Sequence, residues 1–166
     1  QSVSTSPVLL ELLANEKLDI AVREALATSL ANHSDPEAIP LIMDQLGQDS
    51  DPEVRQRLAL AVGQGLLDHP RTLVDIVIGN EYDVATKYGV AASLGHSTRP
   101  EVTEQLDIAA FGVGGDVARV LRIAQVYGGN REYLEEVRST AADSRIDPWV
   151  RTQAITALAL RDRTAN

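Results

Sequence analysis

Two short stretches, Asp51-Pro52-Glu53-Val54-Arg55 and Asp147-Pro148-Trp149-Val150-Arg151, are the same unit at two places in one chain. Their separation is three steps of 32 residues, and a basic residue recurs at every step. An acidic residue stands four positions before the basic one in four of the five units. The basic residues are Arg23, Arg55, Lys87, Arg119 and Arg151; the acidic ones are Asp19, Asp51, Asp83 and Asp147, with Gly115 in the fourth unit. A register kept without insertion over five units indicates a repeat protein.

Each unit has the pattern of two helices. In the second unit Ile39, Ile42, Met43 and Leu46 follow helical spacing, and Asp35-Pro36 provides an N-cap followed by proline at the first helical position. Asp51-Pro52 repeats that signal and opens the second helix. The predicted pairs are 7–14 with 19–32, 36–47 with 51–66, 70–79 with 83–95, 99–111 with 115–127, and 131–143 with 147–161.

A helix pair of this kind cannot bury its apolar face alone, so successive pairs must stack. The motif Asp51-Pro52-Glu53-Val54-Arg55, followed by Leu58, Ala59 and Val62, resembles HEAT repeats, in particular the short repeats of phycobilisome lyases. The resemblance implies an all-α, right-handed α-solenoid, an α/α superhelix of about five two-helix repeats. We expect a single domain over residues 1–166, with units at approximately 4–34, 35–67, 68–98, 99–129 and 130–163.

The recurring Asp and Arg have a structural explanation. Asp at an N-cap accepts the free N–H groups of its helix, and the resemblance implies that Arg pairs with the Asp of the adjacent unit. A catalytic pair would have no reason to recur in every unit. The fourth unit departs from the pattern, because Gly115 replaces the capping Asp and Arg122 occupies the position of Leu26 and Leu58. We expect a local bend of the stack there.

The composition excludes several classes of function. The 166 residues contain no cysteine, so neither a disulfide framework nor a Cys-ligated zinc site is expected. A net charge of −9 argues against nucleic-acid binding, because phosphate neutralisation requires clustered Lys and Arg. No apolar run approaches the roughly 20 residues of a membrane span. We therefore expect no nucleic-acid partner and no membrane partner.

The histidines do not form a reactive site in the sequence pattern. His33, His69 and His96 fall in or near turns that follow second helices. Packed helices lie about 8–10 Å apart, which is too far for successive units to share one metal ion, and no nucleophile–base motif is present. We expect no catalytic residue, no metal and no cofactor. The chain begins at Gln1 without a signal peptide, and we expect a cytoplasmic rather than a secreted protein.

A partner would then bind on the surface. In HEAT-type solenoids the second helices line the concave side, which the resemblance implies as the binding surface. The sets of equivalent residues that start at Glu24, Ala25 and Thr28 vary freely and are predicted to face outward. Two of them become apolar around the third and fourth units: Glu24, Gln56, Tyr88, Val120 and Thr152, and Ala25, Arg57, Gly89, Leu121 and Gln153. Aromatic and aliphatic residues there are typical of interface anchors; the alternative is that they pack against a neighbouring helix of the curved stack. The predicted partner-binding residues are Arg57, Tyr88, Val120, Leu121, Tyr127 and Trp149.

The sequence therefore predicts a non-catalytic scaffold or regulatory module that binds a protein partner, as part of a larger protein. Val150, Ile155, Leu158 and Leu160 leave the last helix apolar, which predicts further repeats or self-association at the C-terminal end. The alternative is an enzyme or chromophore-attachment factor of the phycobilisome-lyase type, which depends on the repeat similarity alone.

Overall fold

The structure is a computed structural model that describes residues 7–34, 36–95 and 100–163. Within these ranges it contains ten α-helices and no β-strand, which confirms the all-α solenoid class. The helices are α1 (Pro7–Ala14), α2 (Ile20–His33), α3 (Ile39–Gly47), α4 (Pro52–Gly65), α5 (Pro70–Ile78), α6 (Val84–Gly95), α7 (Pro100–Gly112), α8 (Gly115–Gly128), α9 (Leu134–Ala142) and α10 (Pro148–Arg163).

The helix pairs agree closely with the sequence prediction. Helix α9 begins at Leu134 rather than 131, because residues 132–133 form a turn. A short 3-10 turn, Pro36–Ala38, precedes α3, and the predicted cap Asp35 lies outside the described residues. None of the described helices is both long enough and apolar enough to cross a membrane.

The recurring aspartates cap the second helices, as their spacing predicts, and each cap contributes about 1 kcal/mol. In each case Oδ1 of the aspartate accepts the backbone N–H of the residue two positions later. The distances are 2.8 Å for Asp19 and Ala21, 2.9 Å for Asp51 and Glu53, 2.8 Å for Asp83 and Ala85, and 2.9 Å for Asp147 and Trp149. Helix α8 differs, because its cap is Gly114 and makes no side-chain bond. Gly115 there has a φ of +63°, which favours glycine, so the start of α8 differs from those of the other second helices although it lies at the predicted position.

The helices form two layers. Each second helix packs along the second helix of the next pair, so that α2, α4, α6, α8 and α10 make a continuous inner layer. The first helices form an outer layer whose members contact one another less extensively. The buried apolar side chains form one continuous core cluster, which runs through both layers from Leu13 to Ala157. The stack is therefore held together mainly through its inner layer.

Small residues bring the inner helices close together. A Cβ at Gly89 would lie 2.2 Å from the backbone oxygen of Gln56, so α4 and α6 approach to a distance that only glycine permits at this position. A Cβ at Gly63 would likewise lie 2.0 Å from Ser93 Oγ. These contacts explain why small residues recur in the middle of helices, where glycine otherwise weakens the helix.

The last inner helix reaches back across the layer. Gln56 Nε2 of α4 donates to Gln153 Oε1 of α10 at 3.3 Å, although the two residues are 97 positions apart. The rings of Tyr88 on α6 and Trp149 on α10 meet edge to face, with their centroids 5.6 Å apart. Helix α10 of the fifth pair therefore covers part of the inner side of α4 and α6.

The C-terminal helix exposes less apolar surface than the sequence suggests, and further repeats or self-association at this end stay a prediction. Val150 is buried, and Leu158 and Leu160 are partly buried, which leaves Ile155 as the exposed large hydrophobic residue of α10. The physical reason is that α10 packs on both α8 and α9. At the other end of the stack, α1 exposes three large apolar side chains, which are Val8, Leu9 and Leu12.

Candidate functional site

The predicted partner-binding residues divide into a buried and an accessible group. Tyr88 is 2% exposed, and Val120 and Leu121 are fully buried in the core. The prediction that these three side chains face outward is therefore wrong. Arg57 keeps about half of its side chain exposed, and Tyr127 and Trp149 are partly buried at the surface. A charge introduced at Tyr88 or Leu121 would test folding rather than binding.

The error has a physical cause in the packing of the inner layer. The residues assigned to an outward surface lie between neighbouring inner helices, since Gly89 meets Gln56 and Ala59 across the α4–α6 contact. Helix α10 adds further cover, because Trp149 packs on Tyr88. The change from polar to apolar residues along the stack therefore marks where the inner layer is buried, not where a partner binds.

Arg57, Tyr88 and Tyr127 nevertheless share one cavity of about 100 Å³ on the inner side. Gln153 and Thr156 of α10 form its opposite wall. Arg57 Nε is held at 2.7 Å from Glu24 Oε1, an ion pair that is exposed to solvent. We call this the small inner cavity.

A larger cavity, of about 320 Å³, lies where four inner helices begin. We call it the helix-start cavity. The start of each of α4, α6, α8 and α10 contributes to its wall, so the 32-residue repeat brings equivalent positions of four units together. Its lining residues are Pro52, Arg55, Asp83, Val84, Ala85, Asp116, Asp147, Trp149 and Val150.

The charge of this cavity is negative, with three aspartates against one arginine. Asp83 is paired with Arg55, whose Nε lies 3.1 Å from its Oδ2, and Asp116 is paired with Arg119 at 2.6 Å. Asp147 accepts two backbone N–H groups of its own helix and has no ion pair within the described part of the chain. Of the three cavity aspartates, Asp147 is therefore the one whose negative charge is not already paired with an arginine among the described residues.

Hydrogen bonds keep Asp83 ionised. Burial raises the pKa of its carboxyl, but bonds from the hydroxyl and N–H of Thr86 and the charge of Arg55 outweigh that effect and lower the pKa below its usual value. Asp51, Asp83 and Asp147 also accept backbone N–H groups at the starts of α4, α6 and α10. The cavity therefore offers few free hydrogen-bond donors to an anion. Its electrostatics favour a cation.

Trp149 gives the cavity an aromatic wall beside Asp147. Its indole Nε1 is inaccessible to solvent and has no hydrogen-bond partner among the described residues. Val84, Ala85 and Val150 supply apolar lining. An aromatic face next to an unpaired carboxylate is the combination that binds an ammonium or guanidinium group.

The predicted Asp–Arg ladder forms only in part. Arg55 pairs with Asp83 of the adjacent unit, as the resemblance implies. Arg23 instead reaches Asp49 in the next unit's interhelical turn, at 2.7 Å. The recurring arginines of the fourth and fifth units bond within their own units. Arg119 pairs with Asp116, and Arg151 donates to the backbone oxygen of Ala141. Arg122, at the leucine position of the fourth unit, pairs with Glu136 and lies over the ring of Tyr133.

The histidines contribute no common site. His33 bonds to the backbone oxygen of Ser29 at the end of α2, His69 is exposed at the start of α5, and His96 lies outside the described residues. Among the residues that the structure describes, no three His, Asp or Glu side chains are placed to hold a metal ion.

The helix-start cavity was not predicted from sequence, although a signal for it existed. The sequence analysis assigns the aspartates to capping and to pairing with the recurring arginines, and their equivalence over four units already implies that they line up at one edge of the stack. Whether that edge would enclose a cavity depended on the curvature, which the repeat pattern does not specify. Trp149 is the one predicted binding residue that lines it.

Comparison with known proteins gives a family match over the first part of the chain. A family model described as HEAT repeats matches residues 6–77, which cover the first two helix pairs and most of α5. Neither the curated proteins nor the solved structures give a match. The match concerns the repeat in general, and the phycobilisome-lyase-like subtype stays a prediction.

Proposed function

We propose that this chain, whose residues 6–77 match a family model of HEAT repeats, acts as a non-catalytic scaffold that recognises a protein partner on its concave side. The inner layer is the concave side in this proposal. Support comes from the packing, since the inner helices approach one another more closely than the outer helices do. A stack that is tighter on one side curves toward that side.

The observation that carries the proposal is the helix-start cavity. Its volume of about 320 Å³ suits a single long side chain rather than a whole helix. A lysine or arginine of the partner can place its aliphatic stem against Val84 and Val150 and its charge beside Asp147. The face of Trp149 then adds a cation–π contact, worth about 0.5–2 kcal/mol depending on how dry the site is.

A second contact is available at the small inner cavity. Arg57 and Tyr127 stand at its wall, and both were predicted binding residues. The exposed Arg57–Glu24 ion pair contributes at most about 1 kcal/mol. Arg57 can therefore exchange Glu24 for a carboxylate of the partner at little cost.

The chain has a single tryptophan, so Trp149 fluorescence reports on the helix-start cavity alone. We expect an acetylated Gly-Arg-Gly amide to change this fluorescence saturably, and the neutral, isosteric Gly-citrulline-Gly amide to leave it unchanged. Asp147→Asn, which keeps an amide oxygen able to cap α10, should weaken the arginine peptide about tenfold, a loss of roughly 1.4 kcal/mol.

The matched control is Glu135→Gln, which removes one negative charge at an exposed ion pair with Arg138, outside the cavity. It should bind the arginine peptide like the unmodified chain. An equal response to both peptides, or binding that survives Asp147→Asn unchanged, would contradict cation recognition in this cavity.

A further inference from the structure

The first helices of the second and third pairs leave a groove in the outer layer. Helix α1 packs on α3, and α5 packs on α7, but α3 and α5 make little contact with each other. Each of the two packs on the second helix of its own pair instead. All four helices of these two pairs are described, so the gap between α3 and α5 lies inside the stack and does not arise from one of its ends.

Two neighbouring cavities lie along this groove. The first, of about 200 Å³, is bounded by the start of α3, by α5 and by the turn before α6, and Ile39, Ile76 and Tyr82 give it an apolar wall. The second, of about 280 Å³, is bounded by the end of α3 and by the same turn. Glu81 and Tyr82 line both cavities, so the two are continuous. We call them together the outer groove.

The size of the outer groove suits a short peptide segment. Its lining residues on α3 run from Ile39 to Gly47, which is about 12 Å along a helix. About four residues of an extended chain cover that distance. Each cavity is smaller than the roughly 300 Å³ at which small-molecule pockets usually begin. The two cavities therefore fit two side chains of one segment.

The charge around the outer groove is negative. Asp44, Asp75 and Glu81 line it, are exposed, and form no hydrogen bond or ion pair with the described residues. Burial raises the pKa of the Tyr82 hydroxyl, and the charges of Asp44 and Glu81 raise it further. Over residues 36–83, nine Asp and Glu stand against three Arg. This field repels nucleic acids and anionic membrane surfaces and attracts a cationic segment.

We propose that the outer groove binds an extended segment of a partner protein in which a large apolar residue and a Lys or Arg lie two positions apart. Alternate side chains of an extended chain point to the same side, so they can enter neighbouring cavities. The apolar side chain packs beside Ile76 and Tyr82, and the basic one lies near Asp44 and Glu81. The outer groove shares only Asp83 with the helix-start cavity, so this proposal does not depend on cation recognition there.

Amide NMR spectra of the isotope-labelled Asp147→Asn chain test this proposal, because that change removes the unpaired carboxylate of the helix-start cavity. The probe is acetylated Arg-Gly-Leu-Gly-Arg amide, which places an arginine two positions from leucine in either direction. We expect it to shift the amide signals of Gly79, Glu81 and Tyr82 saturably. Replacing its leucine by alanine, or both arginines by citrulline, should each weaken binding about fivefold or more.

Asp44→Asn combined with Glu81→Gln should weaken the leucine peptide about fivefold, since both carboxylates are exposed. The matched control combines Glu11→Gln with Glu104→Gln, which removes the same charge at exposed residues outside both cavities. It should bind the peptide like the Asp147→Asn chain, and circular dichroism melts should show both combinations folded.

Three results would overturn the proposal. The first is the absence of a saturable response at the three amides. The second is equal binding of the leucine and alanine peptides, or equal binding by the two combined variants. The third is a shift of the same amides with protein concentration when no peptide is present, because a second copy of the chain would then occupy the outer groove.

Discussion

Arg23 and Asp49 form a buried ion pair, with Nη1 of the arginine 2.7 Å from Oδ2 of the aspartate. Arg23 Nε also donates to the backbone oxygen of Leu13 at 2.9 Å, so one guanidinium connects α1, α2 and the turn after α3. This is the most deeply buried charged contact among the described ion pairs, and it joins the first two helix pairs.

Asp49→Ala should destabilise the protein strongly, because it leaves a buried guanidinium without its counter-charge. We expect the free energy of unfolding to fall by about 3 kcal/mol, measured by chemical denaturation. Arg23→Met combined with Asp49→Leu should recover most of that loss. Arg55→Ala, which breaks the more exposed pair with Asp83, should cost only about 1 kcal/mol. Equal losses for Asp49→Ala and Arg55→Ala would show that burial of the pair does not set its contribution.

Lys87→Met should increase stability. Lys87 is buried, and its ammonium group forms no hydrogen bond or ion pair with the described residues. Burial lowers its pKa, while the charge of Asp83 opposes the shift. The charged ammonium therefore lowers the free energy of unfolding. The free energy of unfolding recovers as pH rises from the lowered pKa toward the ordinary value of 10.5.

The expected gain at neutral pH is about 1 kcal/mol, measured as a higher midpoint of denaturation. Lys17→Met, at an exposed position, is the control and should change stability little. A destabilised Lys87→Met protein would mean that the ammonium group is well solvated in the fold.

Gly89→Ala should destabilise the inner layer, since the added methyl would lie 2.2 Å from the backbone oxygen of Gln56. Backbone cannot move aside as a flexible side chain can, so we expect a loss of about 1–3 kcal/mol. The matched control is Gly47→Ala, where no atom lies within 4 Å of the new methyl. That change should leave the thermal melting temperature unchanged or raise it. A Gly89→Ala protein as stable as the control would contradict the close α4–α6 approach.

Asp83 should make stability depend on pH in the acid range. Its folded pKa lies below the ordinary 3.8, so its contribution is fully present above about pH 4 and is lost as pH falls through the lowered pKa. Asp83→Asn keeps a capping oxygen and should lower stability at pH 7 by less than about 1 kcal/mol, since Asp83 is partly exposed. The difference between the two proteins should shrink below pH 4, as followed by urea unfolding across pH. A difference between the two proteins that stays constant below pH 4 would contradict this contribution of the Asp83 carboxylate.

Much of the fold could be predicted because its determinants are local. Asp51 and Pro52 mark a helix start through their own hydrogen bonding and φ preference, wherever the helix is placed. The 32-residue step then placed equivalent residues in equivalent environments, which is why the helix ends agree so closely. The match to HEAT repeats over residues 6–77 supports the same conclusion for the first units.

The candidate site could be predicted only in part. The predicted binding residue Trp149 lines the helix-start cavity and its role in binding stays a prediction, while Tyr88 and Leu121, which are predicted to face outward, are buried. An apolar residue on an inner helix indicates burial or an interface, and the sequence pattern alone does not distinguish them.

By itself, then, the sequence determined that helix pairs form, where they begin and that they stack in register, because caps, prolines and apolar spacing act over a few residues. Only the tertiary structure decided which inner side chains stay accessible. That depends on how far the stack curves and on α10 reaching Gln56 through Gln153, a contact between residues 97 positions apart. Small angular steps between successive pairs add up along the stack, and no single repeat contains their sum.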